Sequence, residues 1–506
     1  MPERRLISRV CVLLVALPWF WPFMVPPRPE FWTDMVAWSA GAVLLSLLPR
    51  IRPDSAWVIA TGWLVAALGS AVLGLLQYLD LENGLHPWVA RTGPGHALAN
   101  VHQTNMLATL LAVGLLCVWW MAVQRRLRPW ALAGMAALLL AALAATASRT
   151  GMLHLLVIAV VLLGWHGCAN RTVWRVLLAA MAVYLFSAWA LQWLGSLTSG
   201  AEIERDISSR IGLESDCHSR FVLWSNVLEL IALQPWTGWG PGGLLYAHYI
   251  TLFDGLRNCA KLSNAHNLPL QMAVTLGVPL TLLIGGGFAW FIARLRPWAA
   301  TDAFERLAWA ALLLIGVHSL LEFPLWYGVF QLMAGLAVWQ LLWIRRGQAS
   351  ALGGAMGSVR ATTAASVLAL VGLAAIGWDY VKVSQIFLPD RQRLASFRTD
   401  TYAKARTAWL FDAHVRMADV LRTPMTRENA PALLQGALEA LHLAPDAPVI
   451  RRVIEAAEMA GQPELAEFHR LRFQAAWPQE YAKWQALRAP QSGRSSPPAS
   501  PASAPR

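Results

Sequence analysis

A histidine between asparagines, in Asn264-Ala265-His266-Asn267, stands where a long polar loop runs into the apolar segment beginning at Leu268. A neutral imidazole at such a boundary can take a proton near pH 7. Arg149 lies between two apolar segments, in Ser148-Arg-Thr-Gly, and Arg220 begins an amphipathic stretch, in His218-Ser-Arg-Phe-Val-Leu-Trp. A guanidinium stays charged and donates two parallel hydrogen bonds, which suits a diphosphate. A base with two anion binders fits a reaction in which a hydroxyl loses its proton while a diphosphate leaves. Each residue also has a plainer use: the histidine as a structural hydrogen-bonding group, Arg149 as a snorkelling residue, Arg220 as a solvated loop charge. The polar groups His102, Gln103, Asn105, Asn267, His318 and Glu322 fall at the ends of apolar segments. There they either bind sugar hydroxyls or cap and join helices. His318 and Glu322 are four apart and share a face if that segment stays helical, so that the carboxylate can orient the imidazole. The sequence holds no His-Glu-x-x-His, paired Cys-x-x-Cys or P-loop, so neither a metal nor nucleotide hydrolysis is expected, and no cofactor.

The elements that must position these groups are apolar. The 506 residues are 57% hydrophobic and 14% charged, with 27 Trp, and the mean hydropathy is +0.45. That is too apolar for an ordinary soluble domain and predicts an all-α polytopic membrane protein. About eleven transmembrane helices are expected, at Val10 to Met24, Phe31 to Leu48, Trp57 to Leu79, Met106 to Val123, Trp130 to Ala147, Gly151 to Trp165, Val176 to Leu194, Leu268 to Ala293, Leu307 to Leu321, Leu325 to Ile344 and Ala364 to Trp378. Arginines cluster on alternate loops: Arg4, Arg5 and Arg9; Arg50 and Arg52; Arg125, Arg126 and Arg128; Arg171 and Arg175; Arg294 and Arg296; Arg345, Arg346 and Arg360. The positive-inside rule therefore puts the N-terminus in the cytoplasm and the 195–267 loop outside, with everything after residue 378. The first segment reads as a retained anchor, since it lacks a small-residue cleavage site. Membrane topology accounts for the net charge of +12, so nucleic acid is not an expected partner.

Cys217 and Cys259 share the large outer loop, where an oxidising compartment permits a disulfide. Beyond residue 378 the hydropathy becomes mixed at helical spacing over Tyr402 to Leu421, Pro431 to Leu443 and Val449 to Met459. The chain thus divides into a transmembrane domain over 1–378, a helical region over 379–490 with tetratricopeptide-like hairpins, and a Ser/Pro/Ala-rich tail over 491–506 expected to be disordered. The helical region serves either as a scaffold or to orient a protein acceptor.

The string Asn264-Ala-His-Asn-Leu-Pro-Leu-Gln resembles the signature of the bacterial O-antigen ligase and O-oligosaccharyltransferase superfamily, the WaaL, Wzy and PglL enzymes. The ligase pattern is His, then Asn, Ser or Gln, nine residues, Gly, two residues, then Gly, Thr or Tyr. This chain supplies His266, Asn267 and Gly277 and departs at the last position, Leu280. Two further stretches, Gly93-Pro-Gly-His-Ala-Leu-Ala-Asn-Val-His-Gln-Thr-Asn and His318-Ser-Leu-Leu-Glu-Phe-Pro-Leu-Trp-Tyr, resemble the PglL-type, protein-modifying branch. The resemblance implies His266 as general base and Arg149 and Arg220 on the donor diphosphate, with transfer that needs no metal. It implies a glycan taken from undecaprenyl diphosphate in the bacterial inner membrane and placed on Ser or Thr of periplasmic or pilin proteins. O-antigen ligases share the donor and histidine but transfer to lipid A core, and polymerases extend a glycan. The rival from another class is a transporter or lipid flippase, which usually carries ionisable groups within its spans and internal repeats.

Overall fold

The computed structural model describes residues 2–199, 217–349 and 359–488, and every regular element among them is helical. The tail 491–506 and residues 200–216 of the outer loop lie outside that set. The chain divides into two compact units, one of residues 1–215, 234–238 and 264–415, the other of 216–233, 239–263 and 416–506. The division differs from a boundary at residue 378. Residues 379–415 pack with the first unit, and most described parts of the outer loop pack with the C-terminal helices.

In chain order the helices are α1 (Pro2–Ala16), α2 (Phe31–Leu47), α3 (Ser55–Tyr78), α4 (Thr104–Val123), α5 (Pro129–Ala145), α6 (Arg149–His166), α7 (Arg171–Ser199), α8 (Arg220–Leu233), α9 (Gly243–Ile250) and α10 (Leu268–Leu276). There follow α11 (Val278–Leu295), α12 (Ala303–Ser319), α13 (Gly328–Ala349), α14 (Val359–Ser384), α15 (Thr401–Ala405), α16 (Asp412–Arg422), α17 (Ala430–Leu443), α18 (Ala447–Met459), α19 (Pro463–Ala476) and α20 (Pro478–Arg488). Seven of them, α2, α3, α4, α6, α7, α11 and α14, are long and apolar enough to cross a membrane, while α5 and α13 are shorter apolar helices. The protein is a multi-pass membrane protein by that measure. The expected eleven are not all reached: α1 carries Arg4, Arg5 and Arg9 within 15 residues, and α12 has 17 residues with Glu305 and Arg306 among them. Leu282, Leu283, Phe288 and Trp290 on α11 and Leu368 and Val371 on α14 stand exposed, as lipid-facing side chains do.

The single span expected over Leu268 to Ala293 is two helices. Hydropathy sees a continuous apolar run, but Gly277 takes φ +81°, ψ 162° and ends α10 there. A Cβ at that position would lie 2.3 Å from the Trp236 carbonyl oxygen. The Val278 N–H then donates to the Pro235 carbonyl at 2.8 Å, so the loop segment 234–238 lies directly against the break. Pro279 near the start of α11 costs nothing, because the N–H it lacks belongs to the unsatisfied first turn.

α4 is the most enclosed of the spanning helices, with Leu107, Ala108, Leu110, Leu111 and Leu116 fully buried, and it packs on α3, α5, α6 and α12. The polar loop that leads into it is held by side chains. The Gln77 amide donates to the carbonyls of Ala90 and Ala99 at 2.8 and 3.0 Å and accepts from the Leu98 N–H, while the Asn100 amide ties Phe20, Trp88 and Ala90. Buried polar side chains thereby satisfy backbone groups a helix would otherwise pair, and they fix where α4 begins.

The helix expected over Tyr402 to Leu421 is broken into α15 and α16. The Asp379 carboxylate at the end of α14 accepts the N–H groups of Trp409, Leu410 and Phe411 and pairs with Lys382 at 2.9 Å. That anion satisfies three N–H groups at once and starts α16 only at Asp412. In the second unit, α17 to α20 pack each on the next around Ile450, Val453, Ile454, Ala456, Ala457 and Phe473. Cys217 and Cys259 form a disulfide, beside which the Asn226 carboxamide accepts the Asn258 N–H and donates to the Leu256 carbonyl. The loop segment 239–263 is anchored by Tyr249, whose hydroxyl lies 2.9 Å from His469 Nδ1, and by Lys261 on Asp446.

Candidate active site

His266 sits in the turn just before α10 with φ +49°, a left-handed conformation that costs a non-glycine residue free energy. Three side chains hold it there. Asn264 Oδ1 accepts the His266 N–H at 2.8 Å, Gln271 Oε1 accepts the Ala265 N–H at 2.8 Å, and Asn267 caps α10 by accepting the Leu270 N–H at 3.0 Å. Asn267 Nδ2 also donates to the Leu320 carbonyl, 3.1 Å away, joining the turn to the end of α12. The sequence motif is therefore a local device: its asparagines and glutamine spend their amides on bending the backbone so that the imidazole turns back from the helix.

The imidazole turns toward Glu322. Its Nδ1 lies 2.7 Å from Glu322 Oε2, and its ring meets Phe323 edge-on with centroids 5.0 Å apart. A carboxylate only accepts, so the proton of a neutral His266 resides on Nδ1 and Nε2 keeps its lone pair. Glu322 lies in the turn beyond α12 and is 5% exposed. Its other oxygen accepts from Asn105 Nδ2 at 3.2 Å. The Asn105 Oδ1 in turn accepts the Ser148 hydroxyl at 2.7 Å. Ser148 caps α6 through the Gly151 N–H, so that Arg149, the first residue of that helix, stands exposed at its N-terminus. A helix N-terminus and a guanidinium both favour an anion.

Each member of the expected pair His318 and Glu322 meets residues of other segments. α12 ends at Ser319, and the Glu322 N–H still donates to the His318 carbonyl at 2.8 Å. His318 Nδ1 meets Thr109 Oγ1 at 2.8 Å, while Glu322 turns to His266 and Asn105. Thr109 also meets His154 Nε2 at 2.9 Å and donates to the Asn105 carbonyl at 3.0 Å. Its hydroxyl proton goes to that carbonyl, so its two lone pairs accept one N–H from each imidazole, which places a proton on His154 Nε2 and on His318 Nδ1. His154 and Thr109 are fully buried. Neither was among the sequence candidates, although a histidine within an apolar run was a signal that could have found His154.

His102 and Gln103, just before α4, have His102 Nε2 and Gln103 Oε1 buried without a hydrogen-bond partner among the described residues. Burial lowers the His102 pKa against the opposing pull of Glu30, which favours a neutral ring. Arg220 opens α8 in the second unit, three residues from the disulfide-bonded Cys217. Of the sequence candidates, then, the first unit joins His266, Asn267, Glu322, Asn105 and the helix start of Arg149 into one constellation. It places His318 in the layer beneath and His102 and Gln103 at the head of the same helix as Asn105.

Residues 134–285, which include Arg149, Arg220 and His266, match a family model described as O-antigen ligase. Residues 306–491, which include His318 and Glu322, match one described as the C-terminal region of virulence factor membrane-bound polymerase. A general O-oligosaccharyltransferase of Acinetobacter baylyi (strain ATCC 33305 / BD413 / ADP1) is 27% identical over 277 residues, covering 53% of this chain and 47% of that protein. The chain thus spans less than half the length of this curated relative. No solved structure matches. Motifs, family models and relative agree: the chain is similar to the O-antigen ligase model over residues 134–285 and resembles the PglL-type enzymes of the WaaL/Wzy superfamily.

Proposed function

We propose that the protein is an O-oligosaccharyltransferase that moves a glycan from undecaprenyl diphosphate to Ser or Thr of periplasmic or pilin proteins. Similarity to an O-oligosaccharyltransferase and to the O-antigen ligase model supports oligosaccharyl transfer at family level. The observation that carries the chemistry is the 2.7 Å pair of His266 and Glu322. Nε2 takes the proton of the acceptor hydroxyl as its oxygen attacks the anomeric carbon, and Glu322 stabilises the imidazolium that forms. The bond from that carbon to the diphosphate breaks, and the departing charge falls to Arg149 and Arg220, without a metal. An α-linked donor attacked directly would leave an inverted centre. His102 and Gln103 bring buried polar atoms with no partner among the described residues to sugar or acceptor hydroxyls.

The topology that goes with this reading counts the shorter apolar segments with the seven long helices, for about eleven crossings of the bacterial inner membrane. The N-terminus is cytoplasmic, and the 195–267 loop and the tetratricopeptide-like C-terminal region face the periplasm, where the acceptor is found. The test is glycan transfer by purified protein in detergent, with one undecaprenyl diphosphate oligosaccharide and either a pilin-like protein or lipid A core as acceptor. Transfer to protein that His266→Ala abolishes, with folding intact, is the expected result. Transfer to lipid A core alone makes the chain an O-antigen ligase. A variant indistinguishable from the parent, with transfer to neither, returns the transporter and flippase readings.

A further inference from the structure

We propose that Asn105 is a positioning residue rather than a glycan ligand: its carboxamide sets the base and the arginine-bearing helix end in register. The inference rests on the role given above to His266. One face of the amide donates to the carboxylate that holds His266, at 3.2 Å, and the other accepts from the residue that caps the helix beginning with Arg149, at 2.7 Å. A carboxamide offers a donor and an acceptor on one rigid plane, so the amide cannot rotate without losing both bonds. The three elements it joins, at residues 105, 148 and 322, are far apart in sequence, and each carries one part of the proposed chemistry.

Asn105 is itself fixed from beneath. The Thr109 hydroxyl donates to its carbonyl at 3.0 Å, and Thr109 is clamped by His154 of α6 and His318 of α12. α4, α6 and α12 are therefore tied twice: through the Thr109 layer, and through the Asn105 layer one helical turn nearer the base. The donor occupies one oxygen of Glu322 and leaves the second to hold the Nδ1 proton of His266. The bond to Ser148 holds the first turn of α6 at the same level, which spaces Arg149 from the imidazole.

Kinetics of the full-length protein in detergent test this. Asn105→Asp keeps the shape and the acceptor for Ser148 but replaces the donor facing Glu322 with an oxygen, and Asn105→Ala removes both bonds. Each is expected to lower kcat roughly 10- to 100-fold, the range of a lost charge-assisted hydrogen bond. KM for donor and acceptor should stay within about twofold, because the residue touches neither. In a double-mutant cycle Asn105→Ala should cost less in a Glu322→Gln background than in the parent, the remainder coming from the lost bond to Ser148. A raised KM with kcat preserved makes Asn105 a glycan ligand and overturns the proposal, as do additive losses in the cycle. If the Ala variant fails to fold, the Asp variant carries the kinetic test. Transfer that survives His266→Ala removes the base and this inference with it. Transfer that His266→Ala abolishes but both Asn105 variants leave unchanged overturns this inference alone.

Discussion

Glu322 faces two donors at once, the Nδ1–H of His266 and the Nδ2–H of Asn105, and this decides what its amide analogue does. A glutamine has one oxygen and one NH2 at those two places, so one of them meets a donor with a donor. If the NH2 turns to His266, the imidazole must adopt the other tautomer and its Nε2 no longer has a lone pair for the acceptor hydroxyl. Glu322→Gln should therefore lower kcat about a hundredfold or more with little change in KM, as loss of an orienting carboxylate does elsewhere. Steady-state transfer assays check this, and a wild-type kcat would show that the carboxylate does not serve the base. His266, Asn267 and Gly277 were legible as a motif, because the chemistry and the local bend need those residue types at fixed spacing. The partnership of His266 with Glu322 was not legible. The residues are 56 positions apart, and helical phase pointed Glu322 to His318 because nothing in the apolar run marks the end of α12 at Ser319.

At the scale of elements, the break between α10 and α11 is the feature hydropathy could not see, since it counts side chains and not φ. Gly277 at φ +81° and Gly238 at φ +66° face each other: a Cβ on the first would meet Trp236 at 2.3 Å, and one on the second would meet Thr275 at 2.5 Å. Two backbones thus touch where any side chain would separate them, at the far end of the nine-residue helix that His266 precedes. Gly277→Ala should destabilise the protein by roughly 3 kcal/mol or more, combining an unfavourable φ with a backbone clash. Gly285→Ala is the contrast, because nothing lies within 4 Å of a Cβ there. Thermal unfolding in detergent should show the first variant melting several degrees lower and the second unchanged. Equal midpoints would mean that the close approach is not a constraint. The same reasoning explains the missed break at Thr407–Phe411. The residues there have ordinary helix-compatible types, and only the distant Asp379 carboxylate removes their N–H groups from a helix.

For the whole molecule, the sequence separated a membrane part from a helical C-terminal part but could not assign the outer loop, because composition does not say which surface a polar segment packs on. The structure assigns much of it to the second unit, where 239–263 is held through aromatic and histidine side chains. That choice makes the unit sensitive to acid. His469 is 2% exposed and stacked on Tyr249, and burial, aided by the charge of Arg472, lowers its pKa to about 4. His248 is 4% exposed, and burial with the charge of Arg257 lowers its pKa to about 3. Unfolded histidines titrate near 6.5. Between about pH 6.5 and 4 the unfolded chain therefore binds more protons than the folded one, so stability rises with pH across that window and is complete above it. Glu458 acts lower down. Burial raises its pKa, but Arg488 and Arg470 outweigh that and leave it depressed, so its contribution is lost only as pH falls below the usual carboxylate range. Lowering the pH from 7 to 4.5 should thus loosen the second unit by about 1–3 kcal/mol per buried histidine, before the range in which the contribution of Glu458 is lost. Hydrogen exchange in α18 and α19, corrected for the intrinsic pH dependence, should speed up over that range. His469→Gln should reduce the response to the share of His248, because the glutamine keeps a polar partner for the Tyr249 hydroxyl and has no proton to gain. Exchange that accelerates equally in that variant would place the acid sensitivity outside the Tyr249–His469 contact.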